Sequence, residues 1–135
     1  MIDLNLMGEK IKEILATVPN IKEAYDYEPQ KMNLPAATIF FDRFEQSDQT
    51  TMRKNVNWEW IIRLYIPMRT SDIKAPQLTI RTMIENTIKQ LRSDYDLGGS
   101  CLYHNVSSGE ILVLLDQNNP MMIAELTLTA TTEEY

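Results

Sequence analysis

The chain has 135 residues, 44% apolar and 24% charged, and its 19 acidic against 13 basic side chains leave a formal charge of −6. This balance fits one folded domain spanning 1–135 that buries roughly two-thirds of its unfolded surface, and it argues against a protein that grips a phosphate backbone, which needs clustered Lys and Arg. No apolar run approaches the ~20 residues of a membrane span, and "MIDLNLMGEK" lacks the basic leader of a secretory signal.

The first expected element is a helix. In "LNLMGEKIKEILATVPN", Leu4, Met7, Ile11, Ile14, Leu15 and Val18 recur at three- and four-residue steps, forming one apolar stripe, and Pro19 stops it. A short strand, "IKEAYDYEP" (21–29), follows. Pro29 and Pro35 then bracket "QKMNL" as a loop, since proline suits no central strand. "AATIFFDRFEQ" (36–46) is a second strand. Its link to the third, "QSDQTTMRKN" (46–55), is polar and longer than the two to five residues of a tight hairpin.

"NVNWEWIIRLYIP" (55–67) alternates Val56, Trp58, Trp60, Ile62, Leu64 and Ile66 with a second set of residues, as a half-buried strand does. It is about twice a typical strand in length, and its tryptophans are expected to pack under helices, with ligand stacking as the sharper alternative. A second helix reads from "TSDIKAPQLTIRTMIENTIKQLRSD". Ser71 or Asp72 is the expected cap, Pro76 lies in the first turn, and Ile73, Ile80, Met83, Ile84, Thr87, Ile88 and Leu91 form the stripe. "DLGG" (96–99) is the expected stop. Strands at 100–106, 110–116 and 121–132 complete the chain, separated by turns at "SSG" and "QNNP".

Two singly striped helices can cover one face of a mainly antiparallel sheet, so the expected fold is an α+β two-layer sandwich with a long β-hairpin. The other sheet face then carries surplus apolar residues. Ile61 and Tyr65 lie off the main stripe of the third strand, Leu112 and Leu114 off that of the fifth, and Ile39 and Phe41 oppose Phe40 and Phe44 in the second. A face of that kind needs a partner, which points to oligomerisation.

No catalytic constellation emerges. His104 is the sole histidine and reads as structural, and Cys101, the sole cysteine, reads as a buried inert thiol of a reducing compartment. One His and one Cys assemble no metal set, and neither G-x-S-x-G nor a P-loop occurs. The reading is therefore of a non-enzyme with no cofactor, no metal and no membrane.

As a whole, an opening amphipathic helix, a short strand, "NLPAATIFF" leading into a long hairpin, a long second helix and a terminal "LTLTATTEEY" resemble the tail terminator (tail completion, tail-to-head joining) proteins of long-tailed bacteriophages. The resemblance spans essentially the whole chain and rests on element order. It implies a homo-oligomeric, hexameric ring in the virion. Such a ring caps the tail tube protein, offers a docking surface to the head–tail connector, and passes DNA without reading its sequence. No residue is carried over from the family by motif; the candidate subunit or partner contacts are Asp48, Met52, Arg53 and Lys54 of the hairpin link, and Ile61 and Tyr65 of the surplus apolar face. Another head–tail joining, tube or baseplate component, or a ferredoxin-like cytosolic ligand-binding regulatory domain, is the alternative.

Overall fold

Among the described residues seven elements follow one another: α1 (Leu4–Ala16), β1 (Glu23–Tyr25), β2 (Ala36–Asp48), β3 (Lys54–Pro67), α2 (Lys74–Arg92), β4 (Tyr103–Leu114) and β5 (Met121–Glu134). They come from a computed structural model that describes residues 2–48, 52–68, 72–115 and 119–134. Asp3 starts α1, its carboxylate accepting the Leu6 N–H at 3.0 Å. The helix closes at Thr17, and Pro19 follows just outside it. The N-cap of α2 is Ile73, which has no side-chain cap bond, rather than Asp72; Asp72, one residue earlier, accepts the Ala75 N–H at 3.3 Å, while Ser71 lies outside the described residues. The second helix stops at Ser93, before the glycines expected to end it. Leu97, Gly98 and Gly99, all with positive φ, instead shape the turn beyond.

The sheet order is β1-β2-β3-β5-β4, antiparallel except for the β1–β2 pair. Helix α2 carries the chain from β3 past β5 to β4, so the last strand slots between its two predecessors. Met7, Ile11 and Leu15 of α1 and Ile80, Met83 and Leu91 of α2 share one core with Ile39, Ile62, Leu64, Ile66, Met122 and Leu128. Both helices therefore cover the same sheet face, and the fold is a two-layer α+β sandwich. Each large apolar side chain buried there stabilises the fold by about 1.5–3 kcal/mol.

Strand β3 is long because it is the spine of the sheet. All its residues from Lys54 to Pro67 face β5, and it also pairs with β2 as far as Tyr65. At 3.3 Å per residue it spans roughly 45 Å.

Several expectations are corrected. Five strands replace six, because "SSG" is no turn: β4 runs through it with one extra residue, Ser107, set in a bulge. The link between β2 and β3 shrinks to 49–53, because Asp48 pairs with Lys54, Ser47 with Asn55 and Gln46 with Val56. Half of the polar run, 46–48 and 54–55, is thus strand, while 49–51 lie outside the described residues. A second bulge at Asp42 shifts the alternation of β2, so Phe44 stands opposite Trp58, on the same face as Phe41 rather than the opposite one.

Candidate assembly interface

β1 covers only Ala36–Thr38 of β2. From Ile39 to Asp48 the outward edge of β2 has no neighbouring strand among the described residues, and β4 is the opposite edge of the sheet. The far half of β4 is the more unusual of the two. Ile111 and Val113 point to the helix side and Leu112 and Leu114 to the other, yet these four and Leu115 are all 40–66% exposed. Edge strands are ordinarily guarded by lysine, proline or shortness against pairing with another chain. This segment has none of those guards.

The β2–β3 hairpin carries an aromatic row on the helix side. Ring centroids lie 5.4 Å apart for Phe41 and Trp60, 6.1 Å for Phe41 and Trp58, and 5.4 Å for Phe44 and Trp58. Trp60 is covered by α1, where its indole N–H donates to the Met7 sulfur at 3.2 Å. Gly8 makes that approach possible, since a Cβ there would lie 3.0 Å from Cη2 of Trp60. Trp58 is half-buried and donates to the Thr132 hydroxyl at 2.9 Å. Phe44, further along the row, is exposed. The row therefore begins under a helix and ends in the open.

The six candidate contacts divide. Asp48 and Lys54 stand opposite each other at the neck of the hairpin tip, Met52 is exposed just beyond it, and the Arg53 guanidinium reaches Glu133 at 3.4 Å. These four gather at one end of the molecule. Ile61 and Tyr65 do not join them: both are buried within the chain, so the surplus apolar face expected there is covered from inside.

The cover over Tyr65 is the link between β1 and β2, which crosses the helix-free face and sets Glu28 over it. Its carboxylate accepts from Thr38 Oγ1 at 2.6 Å and from the Tyr65 hydroxyl at 2.8 Å, and lies 3.4 Å from Arg63. Arg63 also binds Glu125 at 2.9 Å and stands over the Phe40 ring at 4.9 Å. Burial, then the bond to Glu28, raises the Tyr65 pKa above its ordinary value of 10.0. Nothing local in the sequence marked Glu28, because its partners are 10, 35 and 37 positions away.

The remaining polar groups read as structural. His104 Nε2 meets the Asp94 carbonyl at 2.8 Å and so carries the proton that makes this bond. Cys101 is buried, its thiol pushed up to about 12 by burial first and by Asp96 and Asp94 next. Among the described residues no group of three His, Cys, Asp or Glu is placed to hold a metal ion, and no helix is long and apolar enough to cross a membrane.

One cleft of about 470 Å³ lies between the end of β3 and the start of α2, lined by Pro35, Ile66, Met68, Asp72 and Pro76. A groove of about 310 Å³ runs between Ile84 and Ile88 of α2 and Val106, Gly109 and Ile111 of β4. Neither is lined by Trp58 or Trp60, whose faces are occupied by Phe41 and Phe44. No protein-family model matches the chain, and no curated protein matches its sequence.

Proposed function

We propose that this chain is a structural subunit of a bacteriophage virion, a tail terminator that closes into a ring on the finished tail tube and presents the surface on which the head docks. The observation that carries the reading is the bare apolar edge at Ile111–Leu115, exposed on both faces of the sheet, which suits a subunit completed by neighbours. The hairpin end, with Met52, Arg53 and Lys54, is the part offered to the tube or the next subunit.

The helix-free face adds support for a channel wall. The register sets Glu45, Glu59, Glu110, Glu125 and Glu133 there against Arg43 and Arg63. A wall of that sign repels phosphates and lets a genome slide, whereas a basic one holds it. The test is mass photometry over a wide concentration range, followed by electron microscopy with purified tail tubes. A ring of six copies seated on tube ends is expected. Tubes that remain bare with the protein in excess would remove the reading.

A further inference from the structure

Among the described residues the sheet has two edges without a neighbouring strand, and they match. β2 is antiparallel to β3, β3 to β5 and β5 to β4, so β2 and β4 run in opposite directions. Rotating a copy of the subunit about an axis along the strands sets β4 of one copy beside β2 of the next. There the two strands are antiparallel and the helices stay on one side. Each strand holds one bulge, at Asp42 and at Ser107, so the runs 40–47 and 105–112 are of equal length.

We infer that β4 of one subunit pairs with the 39–48 edge of β2 in a second copy, continuing the antiparallel sheet from subunit to subunit. In one register every residue of these runs outside the two bulges meets a partner from the same face. Phe41 stands opposite Ile111 on the helix side, Phe40 opposite Leu112 on the other, Arg43 opposite Glu110, and Ser47 opposite Asn105. One apolar pair thus forms on each face, and the one arginine in the run meets the one glutamate of the other strand, while Phe44 faces Gly109 and Gln46 faces Val106. Such cross-strand pairs are the unit of sheet stabilisation.

A two-fold pairing of β4 with itself fits less well. Centred on Leu112, it sets Glu110 against Leu114 and leaves the β2 edge bare. Pairing unlike edges satisfies both at once, and an unlike-edge contact repeats around an axis until it closes. This deepens the ring reading and rests on it for closure, although the contact is argued from the sheet edges alone.

Disulfide trapping tests it. Facing residues of an antiparallel pair have Cα atoms about 4.5–5.5 Å apart, within the span a disulfide bridges, and the native Cys101 is buried away from the oxidant. Ser47→Cys and Asn105→Cys proteins, each inert alone, should give a cross-linked dimer when mixed. The double variant should give a ladder that ends at the ring. Arg43→Cys with Glu110→Cys reports the same register should the first pair disturb assembly.

Rings of normal mass in which neither pair cross-links would overturn the edge contact and leave the ring standing. Homodimers trapped by Leu112→Cys alone would overturn it in favour of two-fold pairing. Failure of the parent protein to assemble, even on tubes, would overturn both readings. Leu112→Asp should raise the concentration for half-assembly more than tenfold while the monomer's circular dichroism stays unchanged. Assembly unaffected by that change would also overturn the contact.

Discussion

Replacing Glu28 by alanine should open the helix-free face, and the structure sets the size of the effect. The carboxylate accepts two short hydrogen bonds, from the fully buried Thr38 and from Tyr65, which is only 5% exposed, beside a longer one from Arg63 at 3.4 Å. Hydrogen bonds to a charged group are worth about 1.5–3 kcal/mol each, a gross loss of roughly 3–6 kcal/mol. Two considerations reduce it. The Glu28 side chain is 35% exposed, so water can enter and serve the abandoned donors. Its ion pair with Arg63 adds little, because solvent screens it.

A net loss of about 2–3 kcal/mol follows, a fall of about 1 M in urea midpoint for a slope of ~2 kcal/mol per M. Glu28→Gln, which keeps one acceptor oxygen, should lose about half as much. The Tyr65 titration supplies an independent readout. Its raised pKa comes from burial and then from Glu28, so Glu28→Ala should move it back toward 10.0. A double-mutant cycle with Tyr65→Phe should return a coupling of about 1–2 kcal/mol. If Glu28→Ala costs under ~0.5 kcal/mol and leaves the tyrosine titration in place, the loop does not seal this face, and Tyr65 is open to a partner.

Three further outcomes are expected. The Cys101 thiol ionises near 9.0 when unfolded and near 12 when folded. Its contribution to stability is thus whole below pH 9 and lost as the pH climbs toward 12. Cys101→Ala should flatten that alkaline limb, and a thiol reagent at pH 8 should label the protein only in denaturant; prompt labelling of native protein would contradict the burial. Replacing the hairpin link 49–53 by Asn-Gly should leave the unfolding free energy within about 0.5 kcal/mol of the parent and abolish tail completion, so infectious tails from that variant would remove the tip from the contact surface. Finally, the assembled ring should fail to retain duplex DNA in a filter assay even at low salt, and tight, salt-sensitive retention would reject an acidic bore.

The stripes of α1 and α2, the alternation of β3 and the α+β class were all legible from residue order. Each depends on a period of 3.6 or 2 that a side chain and its near neighbours impose on the backbone. The apolar surplus that prompted the oligomer reading was legible too, but its location was not. Ile61 and Tyr65 looked unpartnered because the residues that cover Tyr65 come from a loop more than thirty positions earlier. Leu112 and Leu114 looked the same in sequence, and they stay exposed because β4 falls at the edge of the sheet.

Phe44 and the "SSG" segment failed for a related reason. A bulge adds one residue against a partner strand, and alternation read along a single strand cannot register an insertion defined by the other. Local periodicity therefore determined which residues form helices and strands. Strand order and register, set by contacts between distant segments, decided which apolar residues became core, which were sealed by a loop, and which were left along the β4 edge.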